Sequence, residues 1–395
     1  MTLLPYKYSN MTHTIPCIHE SASPAPEELT IEQRLSPPPI LKGFLTKEEA
    51  QTARKENKIP FAVLFSYADC NNRCPWCCYF SDVNAPRQPE KEFTIPEYKA
   101  VIKEIGELGE VKTVFIPGRG EPLLRKRGKT FLELAQAVQD NGMYTVVISS
   151  MPPSLDEGIL RELSGMDVSI IAKLESYHPP RFNELVRPLQ TYQFVEREPD
   201  FYIPEGIEKL LEMGWADDHR LGCGTVVNRL NQEEIGRIFR FYRTHTIFPY
   251  VQKLLEFDGA ARPEVKDDLS LKPQQWKDIA EELISIDHEE FGLNTQAEAT
   301  WLFYFNFPLF MVDFDGEIKY NPKYDAQTKD GKKQLQQVSW ENFSENLLLS
   351  GESKGEYFPF VKREGIFRPG LLSAFVNDAQ QRPRFIGTED RYEEL

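Results

Sequence analysis

The chain has 395 residues, 41% hydrophobic and 12% aromatic, enough apolar material for a large soluble core in one or two domains. Its 61 acidic residues outnumber 46 basic ones, and a formal charge of −15 argues against a nucleic-acid partner, because phosphate binding rests on clustered lysine and arginine. No basic segment followed by an apolar core opens the sequence, and the most apolar stretch, 301–312, is broken by Asn306 and Pro308 well short of the roughly 20 residues of a membrane span; the chain reads as cytoplasmic, with no membrane partner.

Residues 1–59 contain "SASPAPEE" and "LSPPPILKG" with one charged helical patch, "TKEEAQTARKEN". This is the composition of a proline-rich arm that wraps a domain or of a partly disordered leader. From residue 60 the pattern changes. The apolar run "FAVLFSY" leads into a cysteine-rich loop, and "TIPE" at Thr94 supplies a capping box with proline in the first helical turn, followed by "YKAVIKEIGEL" at helical spacing. "VKTVFI" reads as the second strand, "TFLELAQAVQDNG" as a helix ending near Asn141 and Gly142, and "YTVVIS" as the third strand, with a helix opening at Ser154 to Glu157. "VSIIAKL", "RLGCGTVV" and "YVQKLL" read as three further buried strands, separated by the helical stretches "EGIEKLLEMG" and "NQEEIGRIFRFYR". Six strands alternating with helices imply parallel pairing through right-handed crossovers, hence an α/β fold with function at the C-terminal ends of the strands. The expected divisions are an arm (1–59), a partial (β/α)6 barrel (60–262) and a C-terminal α+β cap (263–395). In the cap, "KPQQWKDIAEELISI" reads as a helix and "FPLFMVDFDGEIKYNP" as a hairpin turning at Asp315-Gly316.

The loop after the first strand, "YADCNNRCPWCCYF", places Cys70, Cys74, Cys77 and Cys78 within nine positions. In a large cytoplasmic chain such clustering points to metal ligands or redox groups rather than disulfides. Three thiolates on one short loop suit three corners of a cubane iron–sulfur cluster, leaving the fourth iron open to bind a substrate or cofactor directly. Two alternatives stand beside this. Zinc would need Cys78 as a fourth ligand, although adjacent cysteines rarely aim at one tetrahedral centre. A redox pair from "CPWC" would leave Cys70 without a role.

The spacing C-x3-C-x-aromatic-C, met by Cys70, Cys74, Trp76 and Cys77, resembles the cluster motif of the radical SAM superfamily. The resemblance extends over roughly residues 60–262. "PGRGEPLL" after the second strand is similar to the family's Gly-Gly-Glu-Pro element, here Gly118, Arg119, Gly120, Glu121 and Pro122, which implies backbone groups that bind the amino group of S-adenosylmethionine; glycine allows so close a backbone approach. Arg119 departs from the glycine-rich form. By the same resemblance, Ser149 and Ser150 ending the third strand, Ser176 after the fourth, Asn228 after the fifth and Gly259 near the sixth are candidate contacts to the methionine carboxylate, ribose or adenine. Serine at a strand end also caps the turn that follows, and Asn231 reads as a helix cap.

The resemblance further implies one [4Fe-4S] cluster, S-adenosylmethionine cleaved reductively to a 5′-deoxyadenosyl radical, and hydrogen abstraction from a small-metabolite or peptide substrate, with an external electron donor such as ferredoxin or flavodoxin. The hairpin resembles that of the family's auxiliary-cluster extensions, yet no cysteine follows Cys223, so a metal-free cap is expected. Cys223 in the fifth strand is a candidate hydrogen donor to a substrate radical, against its reading as a small core residue. A non-catalytic iron–sulfur electron carrier or sensor is the alternative function; it leaves the Gly-Arg-Gly-Glu-Pro turn unexplained.

Overall fold

The structure is a computed structural model that describes residues 38–46, 49, 52–53, 58, 60–65, 69–77, 93–117, 120–124, 127–254 and 263–294, with the backbone of 309–312, 318–321, 326–327 and 333–334. Short runs of β-branched and aromatic residues form the strands β1 (Phe61–Leu64), β2 (Thr113–Ile116), β3 (Tyr144–Ser149) and β4 (Val168–Lys173). Helices α1 (Ile95–Glu107), α2 (Gly128–Asp140) and α3 (Glu157–Ser164) cover the outer face between them, and α4 (Pro179–Val186) follows β4. An antiparallel hairpin, β5 (Phe194–Glu198) and β6 (Phe201–Pro204), interrupts the alternation. It resumes with α5 (Glu205–Glu212), β7 (Leu221–Val227), α6 (Ile235–Thr244) and β8 (Phe248–Lys253), followed by α7 (Pro263–Leu269) and α8 (Pro273–Glu290).

Strands β1, β2, β3, β4, β7 and β8 pair in that order, all parallel, forming the partial barrel that the alternation predicts. The far edge of β1 is occupied too. Strand β9 (Leu309–Val312) runs parallel to β1, and β10 (Ile318–Asn321) pairs antiparallel to β9. The expected hairpin strands are therefore present, but they extend the barrel sheet rather than standing in a separate cap. Their Asp315-Gly316 turn lies outside the described residues.

Local signals explain most boundaries. Thr94 N–H donates to Glu97 Oε2 at 2.6 Å, as a capping box requires. Helix α3 begins two residues later than Ser154 suggests, because Asp156 Oδ1 takes the Gly158 N–H at 2.8 Å and is the better N-cap. The buried Arg243 side chain docks α6 onto α8 through a bidentate pair with Asp287, both bonds 2.7 Å.

The inner face of the barrel is closed at the N-terminal ends of its strands by part of the arm. Leu41, Phe44 and Leu45 are buried against Phe61, Val63, Phe115, Val146, Ile171, Phe248 and Tyr250. Phe44 meets the rings of Phe61, Phe115, Phe248 and Tyr250 at centroid distances of 5.5–6.4 Å. The plug is fixed by bonds from Lys42 N–H to His219 O, from Thr113 Oγ1 to Gly43 O and from Ser169 Oγ to Lys42 O. The loop after β1 lies at the opposite end, where the strands finish.

Candidate metal and cofactor site

Cys70, Cys74 and Cys77 lie half-buried on that loop. The loop is held by its own atoms. Asn72 N–H points at Cys70 Sγ at 3.4 Å, Cys77 N–H donates to Cys74 O at 3.0 Å, and Arg73 Nη1 binds the carbonyls of Cys70 and Asn72 at 3.0 and 2.8 Å. Arg73 N–H and the Cys74 thiol both reach Val186 O, at 2.9 and 3.7 Å, tying the loop to the end of α4. Trp76 is buried with Leu185, Leu254, Val265 and Leu269, and Cys74 packs against that cluster, so one flank of the loop is shielded from water.

Burial, then the Glu121 charge, pushes the Cys70 thiol up to about 12, and burial holds the Cys74 thiol well above its ordinary range. Thiols so placed remain protonated until a metal supplies compensating charge. Among the described residues no three Cys, His, Asp or Glu groups converge closely enough to hold a single ion. Three thiols on one loop are a donor set that an iron–sulfur cluster could use, one iron to each sulfur.

Glu121 connects this loop to the neighbouring strands. Its N–H donates to Asp69 O at 2.7 Å, beside Cys70. Its carboxylate, 2% exposed, accepts from Ser149 Oγ (2.6 Å), Leu123 N (3.0 Å), Ser150 N (2.6 Å) and Ser150 Oγ (2.6 Å). Burial raises this carboxyl above its ordinary 4.5 and the four donors oppose the rise. Ser150 Oγ also reaches Asn71 Oδ1 at 3.3 Å, and Tyr192 OH accepts from Asn71 Nδ2 at 3.0 Å and Asn72 Nδ2 at 3.2 Å. The structure thus joins Asp69, Asn71, Glu121, Ser149 and Ser150 in one network, with Cys70 and Gly120 as their chain neighbours. Gly118, Arg119, Gly259 and Cys78 lie outside the described residues.

Two expected site residues, Ser176 and Asn228, and the expected helix cap Asn231 make local bonds. Ser176 is fully buried; its hydroxyl donates to Glu234 Oε2 at 2.6 Å and accepts the His178 N–H at 3.0 Å, the turn-capping role open to a strand-end serine. Asn228, also fully buried, closes its own turn: Nδ2 donates to Val226 O at 3.0 Å and Oδ1 accepts from Leu230 N at 2.9 Å. Asn231 occupies the cap position without capping; its side chain bridges Glu175 O, Val226 O and Asn228 N across two strand ends.

Cys223 faces away from the mouth. A Cβ on either neighbour, Gly222 or Gly224, would meet Ile171 in the barrel interior, so by strand parity the thiol projects outward. There it is fully buried with Ala172, Val227, Tyr242 and Val251, and burial alone raises it above the usual thiol range. The core-residue reading fits this placement and the hydrogen-donor reading does not.

Sequence reading also missed Tyr192, Asn71 and Asn72, and a charged pair at the mouth, Lys173 and Glu175 (3.7 Å).

Residues 64–242 match the model of the radical SAM superfamily. Over that stretch the chain is similar to the radical SAM superfamily. Proteins of that superfamily use S-adenosylmethionine and an iron–sulfur cluster, and the matched stretch includes the three-thiol loop. A curated relative, the PqqA peptide cyclase of Bradyrhizobium diazoefficiens, is 34% identical over 104 residues, 26% of this chain and 25% of that protein. The chain thus matches about a quarter of that relative's length. Among solved structures, Streptococcus suis SuiB bound to S-adenosylmethionine is 14% identical, with TM-score 0.49 over 72% of this chain and 65% of SuiB. The anSMEcpe structure with bound AdoMet is also 14% identical, with TM-score 0.49 over 75% of this chain and 83% of that one. Among the described residues no helix is long and apolar enough to cross a membrane.

Proposed function

We propose that this radical SAM enzyme holds a single [4Fe-4S] cluster on Cys70, Cys74 and Cys77, binds S-adenosylmethionine at its open iron, and acts on a peptide. The observation that carries the reading is the joining of the three-cysteine loop to the Glu121 turn and the end of β3, all at the C-terminal mouth of a parallel barrel. S-adenosylmethionine reduced there would supply a 5′-deoxyadenosyl radical able to abstract hydrogen from an unactivated carbon.

The protein's own residues do the rest. Glu121, locked by four donors, fixes the turn whose backbone around Gly120 would receive the cofactor's ammonium group. Trp76 and its apolar neighbours keep water from one flank of the loop. Phe44 and the plug close the opposite end, so a reactive intermediate would have one exit. Electrons would come from an external donor such as ferredoxin or flavodoxin.

The peptide class is supported by the likeness to a PqqA peptide cyclase. One specific feature favours a small metabolite instead: no cysteine follows Cys223 to build an auxiliary cluster. Both readings are tested by one experiment. Anaerobically reconstituted enzyme is given S-adenosylmethionine, dithionite and either a fully deuterated peptide pool or a deuterated metabolite pool, and the 5′-deoxyadenosine released is weighed by mass spectrometry. Deuterium arriving from the peptide pool alone is the expected result. Deuterium from the metabolite pool alone overturns the peptide class, and no 5′-deoxyadenosine from any mixture overturns the activity.

A further inference from the structure

The segment that leaves α4 is folded back onto the cysteine loop. Arg187, the residue after the helix, takes a left-handed conformation at φ 46°, and its N–H closes the helix on Asn183 O at 2.9 Å. The chain turns there, and the carbonyls of Val186 and Arg187 both receive Arg73 N–H, at 2.9 and 3.1 Å. Two residues on, Leu189 N–H donates to Asn71 O at 2.7 Å. A left-handed residue other than glycine costs free energy that its surroundings must offset, and the offset here is a strap of backbone bonds across residues 71–73.

Tyr192 ends the strap. Its ring packs edge-on against Phe182 of α4, centroids 5.2 Å apart, and its hydroxyl accepts from Asn71 Nδ2 at 3.0 Å and Asn72 Nδ2 at 3.2 Å. All three residues are only 4% exposed. Each asparagine passes the constraint on. Asn71 Oδ1 faces Ser150 Oγ at 3.3 Å, beside the Glu121 carboxylate, and Asn72 N–H meets Cys70 Sγ at 3.4 Å. One phenol oxygen thus serves two amides, the first leading to the Glu121 turn and the second to the first thiol of the loop. Each of these bonds joins protein to protein, so the chain itself sets the shape of the loop. A loop fixed in advance leaves less conformational entropy to be lost when its ligands close on a metal.

We propose that Tyr192 is a positioning residue whose hydroxyl, acting through Asn71 and Asn72, holds the three-cysteine loop in one shape before any metal binds; the use of that shape rests on the cluster reading above. Tyr192→Phe keeps the ring, its contact with Phe182 and the backbone strap. It leaves two buried amide donors without their acceptor, and a buried donor left unpaired costs more than an intact bond contributes.

The test begins on the metal-free chain. Hydrogen–deuterium exchange is compared in the wild type, in Tyr192→Phe, in the pair Asn71→Ala with Asn72→Ala, and in the triple variant. In Tyr192→Phe the amides of Arg73 and Leu189 should exchange about tenfold faster, with those of β3 and β4 at the wild-type rate. The triple variant should exchange no faster than the asparagine pair, because the hydroxyl acts through those two amides. An unchanged rate in Tyr192→Phe overturns the inference, and so does a further rise in the triple variant. Should Tyr192→Phe fail to fold, the asparagine pair decides alone: it must show the same rise, and a wild-type rate there overturns the inference.

Reconstituted protein supplies the second readout. At equal iron content, Tyr192→Phe should need about tenfold more S-adenosylmethionine to shift the electron paramagnetic resonance g-values of the reduced cluster, a signature that a general loss of stability does not move. A wild-type response at equal iron content overturns the positioning role. A wild-type chain that loads no iron removes the cluster reading, while the exchange rates of the metal-free chain still decide whether Tyr192 holds the loop.

Discussion

Ser150 closes both its N–H and its hydroxyl on a single atom, Glu121 Oε2, at 2.6 Å each. The turn after β2 and the end of β3 therefore cannot shift independently, and Cys70 is carried with them because Glu121 N–H holds Asp69 O.

Glu121→Gln places an amide N–H₂ where donors now point and removes a charge that four of them share. Hydrogen bonds to charged groups are worth about 1.5–3 kcal/mol each, so a loss of about 2–4 kcal/mol is expected, with at least tenfold weaker S-adenosylmethionine binding. Urea denaturation and equilibrium dialysis check the two effects separately.

Gly43 lies at φ +86°, and a Cβ there would enter the ring of Tyr144. Gly43→Ala combines left-handed strain with overpacking and should cost about 2–4 kcal/mol. The denaturant midpoint should fall with an unchanged slope. Since Gly43 lies at the far end of the barrel from the cysteine loop, the iron content of the folded fraction should stay at the wild-type value.

Cys223→Ala removes a buried sulfur from the layer between sheet and helices. The expected cost is about 1 kcal/mol, with iron content and 5′-deoxyadenosine formation unchanged. Cys74→Ala should abolish both. A product that forms with Cys74 but needs Cys223 would revive the hydrogen-donor role, and comparison of product by mass spectrometry decides it.

His245, at the end of α6 beside Phe241, is held below its ordinary 6.5 by burial and then by the Arg197 charge. The folded state binds fewer protons than the unfolded one in the window just below 6.5, so stability from this group is present above that value and lost as pH falls. His245→Asn should flatten the stability profile across that window while leaving the slope above pH 7 alone; urea titrations at half-unit pH steps measure it.

Much of this architecture was legible locally. The barrel strands announce themselves as β-branched runs, Thr94 caps α1, and the cysteine spacing marks the loop that the fold sets at the mouth. The hairpin β5–β6 was missed because "FVEREPDFYIP" mixes charge with aromatics, although Pro199-Asp200, with Asp200 at φ 58°, is a turn signal. Lys173 could have been found by parity, counting back from the end of β4 through Ile171 and Ser169. Tyr192 could not: it meets Asn72 across 120 positions, a contact that only the folded chain creates. Nor does any local pattern tell that β9 lies beside β1.

The central claim, that Cys70, Cys74 and Cys77 hold a cluster whose open iron receives S-adenosylmethionine, is tested most directly by the electron paramagnetic resonance spectrum of reconstituted, dithionite-reduced protein with and without S-adenosylmethionine. The account predicts a [4Fe-4S]⁺ signal whose g-values shift when S-adenosylmethionine is added. A cluster signal indifferent to S-adenosylmethionine, or no cluster signal at all, would contradict it.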